Sequence, residues 1–304
     1  MLHEPPYTRR YWQGLERRGT LIYEFEAVAK SAGESEPRKI DGVILPNVPS
    51  VTIGGVTKDE WHWEGLSEVA KEVLRSKLKG QRIICVQTKA DRGGFCLIGQ
   101  SVFSPRLLEL ETFSPHRPVM SVAICGGLHP TLWDLLENKY GVTVHVDRTP
   151  RGDGRLPNRK EGEGDVAKDA RRVRSYWKNL QRGSLAFDYP LLQESSRSVL
   201  NAHAVIWLNG PYREVGYKEL PEQFNPEDEV TVVTTRLNHP RPGMCSMGRA
   251  LFSWELMKLI HPNSKVRMVI PCGEKDTGLE VLLKLKEFEH IEIIPTEYRT
   301  DCPY

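Results

Sequence analysis

"GQSVFSPRLLELETFSPHRPVMSVAICGG", residues 99–127, recurs in outline as "GRALFSWELMKLIHPNSKVRMVIPCGE", residues 248–274. Gly, Phe-Ser, a Leu-rich helical stretch, a Pro/Ser turn, an apolar strand and Cys-Gly follow one another in the same order. Nearer the N-terminus, "RYWQGLERRGTLIYEFEAV" (10–28) matches "SYWKNLQRGSLAFDYPLL" (175–192). Between these blocks, "KIDGVILPN" (39–47) resembles "NAHAVIWLNG" (201–210), and "IICVQTKA" (83–90) resembles "VTVVTTRL" (230–237). Four blocks in one order over most of both halves identify the chain as two copies of one unit. The first copy holds an extra segment near 58–80. There "GLSEVAKEVLRSKLKG" has an amphipathic helical pattern, with Val69, Val73 and Leu74 on one face.

The stretch "RGDGRLPNRKEGEGDVAKDARR" (151–172) is charged, Gly-rich and nearly free of large apolar residues, and it reads as a joint. The expected organisation is a first unit over 1–150, a linker over 151–172 and a second unit over 173–304. Within the first unit, a short helix (8–17) leads into the alternating strand "LIYEFEAV" (21–28) and, past a charged turn, into "KIDGVIL". "RIICVQTKA" forms a third strand. A helix over about 98–111, the strand "VMSVAIC", a helix "HPTLWDLLENKYG" and the strand "VTVHV" (142–146) complete the unit. Meander strands followed by an α-β-α-β run predict an α/β fold in which each unit is a mixed sheet flanked by helices. The later strands are continuous apolar runs, the pattern of strands covered on both faces.

With 304 residues, 39% hydrophobic and 27% charged, the chain has the composition of a soluble globular protein. Its net charge is +2 and its pI about 8.2, a balance that neither requires nor excludes a nucleic-acid partner. No apolar run approaches the roughly 18–20 residues that span a bilayer. "MLHEPPYTRRYW" shows neither the basic start nor the apolar stretch of a signal peptide, so the expected compartment is the cytoplasm, without membrane partners. Six cysteines, at 85, 96, 125, 245, 272 and 302, show no C-x-x-C spacing, and reduced thiols are expected. Phosphate-loop, G-x-S-x-G and H-E-x-x-H motifs are absent, and Gly152 and Gly154 follow no strand as a dinucleotide fingerprint requires. "GMCSMG" sets a Cys and a Ser between glycines with no partner His or acid assigned.

"IICVQTKADRGG" (83–94) carries the chemistry. A buried strand that ends in Gln87 and Lys89 places an amide and an ammonium on one face, because residues i and i+2 share a face, with Thr88 opposite. Asp41 opens the preceding strand on an otherwise apolar run. If the two strands are neighbours, a carboxylate, an amide oxygen and an ammonium converge. An Asp with a second oxygen donor suits Mg²⁺, and a lysine beside it can orient or deprotonate a water or offset charge on a phosphate. The plainer reading has Asp41 capping a turn and Lys89 as a solvated strand-end charge.

The αβββαβ order, the Asp opening the second strand and the Gln-x-Lys of the third are similar to the PD-(D/E)xK, restriction-endonuclease-like nuclease superfamily. The Gln variant resembles its Mrr-like members. The resemblance covers roughly residues 8–147. It implies Asp41 as the metal-binding aspartate, Gln87 in the place of the second carboxylate, Lys89 as the catalytic lysine and Mg²⁺ or Mn²⁺ as cofactor. The superfamily commonly adds a Glu on the first helix. Glu16 is the only carboxylate inside that helix, and Glu24 and Glu26, on one face of the first strand, are the alternatives. Glu24 is taken as the supporting acid, with Asp188 in its place in the second copy. A solvent-facing edge strand is the plainer reading of that pair.

In the second copy His203 stands for Asp41. Gln87-Thr88-Lys89 is matched to Val233-Thr234-Thr235, followed by Arg236, so no carboxylate remains to hold a metal. That copy is expected to be degenerate, kept as scaffold, for grip on nucleic acid or as a built-in substitute for a second subunit. Arg92 and the amides of Gly93 and Gly94, with Arg236, His239 and Arg241 in "TRLNHPRPG", are candidate phosphate contacts. Trp61 and Trp63 are candidates for stacking on a base. "ARRVRSYWK" (170–178) matches the first helix of the unit better than a nucleic-acid-binding stripe. The expectation is a metal-dependent nuclease acting on nucleic acid, DNA rather than RNA, in a defence, restriction or repair setting. The alternative is a catalytically inactive binding or assembly subunit of a multi-protein defence complex.

Overall fold

The computed structural model describes residues 5–16, 20–28, 38–46, 82–112, 119–148, 163–194, 197–235, 242–274 and 276–296. The chain divides into two compact units, Met1–Arg155 and Leu156–Tyr304, and each has its own mixed sheet. In the first unit the elements are α1 (Pro5–Gly14), β1 (Thr20–Val28), β2 (Arg38–Leu45), β3 (Ile84–Arg92), α2 (Phe95–Thr112), β4 (Met120–Gly127), α3 (Pro130–Asp134) and β5 (Val142–Val146). A π-helical turn, Leu135–Lys139, extends α3. The strands lie side by side in chain order, β1-β2-β3-β4-β5. The first two junctions are antiparallel and the last two parallel. That division follows from the connections, because only a helical crossover returns the chain to pair in the same direction, and α2 and α3 are those crossovers. Val122, Ala123, Ile124 and Cys125 are fully buried, as a central strand covered on both faces must be.

Tyr7 of α1 packs on one face of this sheet against Ile44, Ile84, Val86, Val122 and Ile124, with Tyr11, Trp12 and Leu15 at the margin. Each fully buried aliphatic side chain here contributes roughly 1.5–3 kcal/mol by leaving water. The opposite face carries α2, which is apolar nearly all round and buries Leu97, Ile98, Phe103, Leu107 and Leu108.

The second unit repeats the plan with α4 (Glu163–Leu180), β6 (Ser184–Glu194), β7 (Arg197–Trp207), β8 (Arg213–Glu214), β9 (Glu229–Val233), α5 (Met244–Ile260), β10 (Lys265–Cys272), α6 (Thr277–Leu283) and β11 (Ile291–Pro295). Its strand order is β11-β10-β9-β7-β6-β8, in which β8 is a two-residue edge parallel to β6. Again the meander is antiparallel and the two later strands are parallel. The cores correspond residue by residue. Tyr176, Ile206, Val233 and Val269 of the second core occupy the places of Tyr11, Ile44, Val86 and Val122 in the first. Cross-strand pairs agree, since Val86 lies beside Val122 and Val233 beside Val269.

Two expectations need correction. Helix α4 begins at Glu163, inside the stretch 151–172 read as a linker. Its opening turns are poor in apolar residues but rich in Ala, Glu, Lys and Arg, which favour helix without a hydrophobic stripe to announce it. The first helix covers Pro5–Gly14 and not 8–17, because two prolines can open a helix where no intrahelical N–H bond is lost. The helical pattern near 65–80, with Trp61 and Trp63, lies outside the described residues. Among the described residues no helix is long and apolar enough to cross a membrane.

Candidate functional site

The ladder between β2 and β3 stops abruptly. It pairs Ile44 with Ile84, Val43 with Cys85 and Gly42 with Val86, and ends there. Both strands continue with their other neighbours. β3 pairs Gln87, Thr88 and Lys89 with Ala123, Ile124 and Cys125, while β2 pairs Ile40 with Phe25 and Lys39 with Glu26. The cause of the fork is Asp41. Its Oδ2 accepts the Thr88 backbone N–H at 2.6 Å, in place of the carbonyl that a continuing ladder would supply.

Strand alternation sends the residues after Val86 to opposite faces. Gln87 Nε2 donates to Ser104 Oγ of α2 at 2.9 Å, and Thr88 Oγ1 pairs with Thr8 Oγ1 of α1 at 2.9 Å. Gly42 makes the second contact possible, because a Cβ there would stand 2.6 Å from Thr8 Cγ2. Gln87 and Thr88 have 0% exposure and Asp41 9%. The Gln87 amide is thus fixed through its nitrogen, and its Oε1 is buried with no hydrogen bond. An acceptor left so costs roughly 1–3 kcal/mol. Oε1 of Gln100, one turn before Ser104 on α2, is buried and without a hydrogen bond as well. Burial pushes the Cys85 thiol well above its ordinary range, and the negative charge of Asp41 pushes in the same direction.

Glu24 is brought into the same row by register. Tyr23 lies opposite Gly42 and Phe25 opposite Ile40, so Glu24 stands opposite Asp41 across β1 and β2. Glu24, Asp41 and the strand position of Gln87 thus line up across three neighbouring strands. Lys89 follows on Gln87's face, half-buried, in register with Cys125. Glu16 is exposed, beyond the end of α1. Arg92 closes β3 opposite Gly127. The Gly93 amide does not serve as a phosphate contact, a correction to the sequence expectation, because it donates to Gly127 O at 2.7 Å. Glycine is needed there for packing, since a Cβ would stand 2.9 Å from Leu128 Cδ1. Arg236, His239 and Arg241 lie outside the described residues.

The second unit shows the same fork with different chemistry. β7 and β9 pair as far as Ala204 with Val233, and beyond that pair the Thr235 amide donates to His203 Nδ1 at 2.9 Å. His203 therefore does what Asp41 does. This register also corrects the sequence match by one residue. Val233 corresponds to Val86, so Gln87-Thr88-Lys89 corresponds to Thr234-Thr235-Arg236, and a basic residue stands at the position of Lys89 in both copies. The equal-length blocks 83–90 and 230–237 already carry that register. The Arg249 guanidinium contacts His203 Nε2. Burial first, and then that positive charge, lower the His203 pKa to about 3, so the ring is neutral. Asp188, the counterpart of Glu24, stands opposite His203 by the same register, but it has φ 50° and is exposed.

Sequence reading missed Thr8, Ser104, Gln100 and Arg249. A signal existed, because Gln100 and Ser104 are polar at i and i+4 on one face of the helix, and Arg249 and Ser253 recur at their places. Among the described residues no three of His, Cys, Asp and Glu gather as a metal-ligand set. The first fork offers a carboxylate at Asp41 and, at Gln87, an amide oxygen without a hydrogen bond, and α2 carries a second such oxygen at Gln100. These are hard oxygen donors of the kind Mg²⁺ and Mn²⁺ take, and unlike the nitrogen and sulfur set of a zinc site. No family model, no curated protein and no solved structure matches the chain significantly.

Proposed function

We propose that the first unit is a divalent-metal-dependent nuclease of the PD-(D/E)xK type that hydrolyses phosphodiester bonds of nucleic acid, and that the second unit is its degenerate copy. The observation that supports this most is the buried, hydrogen-bond-free Gln87 Oε1 beside the strand fork made by Asp41. A protein does not keep an unpaired buried acceptor next to a carboxylate without cost, and a cation bound by both removes that cost. Asp41 and Gln87 would hold the ion, with Glu24 in a supporting place. A bound divalent ion supplies Lewis acidity and a water that ionises near neutral pH. Lys89, on the Gln87 face, directs a hydrogen bond at the attacking water or the phosphate and offsets the charge that builds there. Water oxygen adds to phosphorus, one phosphorus–oxygen ester bond breaks, and the leaving oxygen takes a proton. DNA is the preferred substrate class in this reading, with a role in defence, restriction or repair.

A second reading has its own support. The Gln87 amide in place of an acid, and the replacement of Asp41 by a neutral His203 in the second copy, fit an inactive subunit that binds nucleic acid or assembles with a protein partner. Plasmid, single-stranded DNA and RNA incubated with Mg²⁺ or Mn²⁺ distinguish the two. Cleavage by the native chain that is lost in Lys89→Ala supports the nuclease. Cleavage that survives in Lys89→Ala overturns the role of Lys89 and points to another site or a contaminant, and no cleavage of any substrate favours the second reading.

A further inference from the structure

We propose that Gln100 is a third oxygen ligand of the divalent cation at the first fork, so that the site is built from Asp41, Gln87 and Gln100. The inference rests on the metal-dependent reading above and adds to it a residue from a separate element. Three observations carry it. Gln100 lies one helical turn before Ser104, and Ser104 touches the Gln87 amide, so the helix face that meets Gln87 also carries Gln100. Gln100 Oε1 is buried without a hydrogen bond, as is Gln87 Oε1, so two acceptors on neighbouring elements lack a donor.

The duplicated unit supplies the third. Gly99-Gln100 corresponds to Gly248-Arg249 and Phe103-Ser104 to Phe252-Ser253. In the second unit the residue at the Gln100 position, Arg249, contacts His203, which is the counterpart of Asp41. The second copy therefore places a permanent cation against the residue at Asp41's position. At the position of Arg249 the first copy has a neutral amide with an unsatisfied oxygen, and at the position of the neutral ring it has a carboxylate. The change of both partners together is what exchanging a fixed guanidinium for a bound metal ion requires. In the second copy the Thr234 and Ser253 hydroxyls, at the places of Gln87 and Ser104, are buried without hydrogen bonds and carry no charge to attract an ion.

The test is Mn²⁺ binding to the full chain, followed by calorimetry and by the electron paramagnetic resonance of the free ion, with no nucleic acid present. The site is defined as the binding lost in Asp41→Asn. A charge series at one position then separates ligation from structure. Gln100→Glu is expected to bind Mn²⁺ at least as tightly as the native chain. Gln100→Ala should bind at least about tenfold more weakly, and Gln100→Arg, which copies the second unit, should not bind. Thermal melts of each variant in chelator establish that the fold is kept. An equal affinity in the native, Glu, Ala and Arg chains overturns the role of Gln100 and leaves the Asp41–Gln87 site standing. No Asp41-dependent Mn²⁺ binding by the native chain overturns both.

Discussion

Asp41 Oδ2 holds the backbone N–H of Thr88 at 2.6 Å, and this one bond both opens the sheet and anchors the candidate site. The counterpart, His203 Nδ1 to the Thr235 amide at 2.9 Å, opens the second sheet in the same way. A carboxylate and a neutral imidazole share the ability to accept a hydrogen bond and differ in charge. The fold needs the acceptor, and the proposed chemistry needs the charge.

Asp41 substitutions separate those two needs. Asp41→Asn keeps an oxygen for Thr88 N–H and is expected to lose cleavage with little loss of stability. Asp41→Ala leaves that buried amide unpaired and should cost roughly 1–3 kcal/mol in urea unfolding. Equal stability of the two variants would show that the bond has no structural role.

Gly42 is set by the approach of α1. Gly42→Ala brings a Cβ to 2.6 Å from Thr8 Cγ2 and should destabilise the chain by roughly 1–3 kcal/mol. Thr8→Ser removes that methyl and keeps the hydroxyl that pairs with Thr88. The double variant Gly42→Ala/Thr8→Ser is expected to recover most of the loss. Additive losses in a double-mutant cycle contradict the assignment.

His203 makes stability depend on pH. Its folded pKa is about 3, against about 6.5 for the free ring. Between those values the unfolded chain takes up a proton that the folded chain refuses, so stability is complete above pH 6.5 and falls as the pH drops toward 3. The slope from this residue is up to about 1.4 kcal/mol per pH unit. His261, hydrogen-bonded to Tyr189 at 3.0 Å and with its pKa lowered by burial, acts in the same direction. Urea midpoints from pH 7 to 4 should fall less steeply in His203→Gln than in the native chain, and parallel curves would remove His203 as a cause.

Cys85 is predicted to be inert. It is fully buried, and burial together with the Asp41 charge keeps the thiol protonated. Native protein treated with iodoacetamide at pH 8 should show alkylation of Cys85 by mass spectrometry only at the rate of unfolding. Rapid labelling in the folded state would contradict that burial.

Much of this architecture was legible because its signals are local. The alternation in "LIYEFEAV", the apolar runs around Val122 and Val269 and the repeated Phe-Ser marked the elements and the duplication. The pairing of Asp41 with the Gln87 strand could be inferred from a meander order. What escaped was whatever depends on contact between distant elements. The taken amide of Gly93 and the partner of Gln87 are invisible in composition, since Ser104 is one of many serines. The start of α4 was hidden because helix propensity without an apolar stripe looks like a linker.

By itself, then, the sequence determined two copies of a mixed α/β unit and the residue types available at the end of each third strand, because periodicity and order are properties of neighbours along the chain. Only the tertiary structure decided that Asp41 forks the sheet, that Gln87 and Gln100 keep buried oxygens without donors, and that Arg249 stands against His203. Those facts depend on which groups exclude water from one another, and that is settled by packing between elements far apart in the chain.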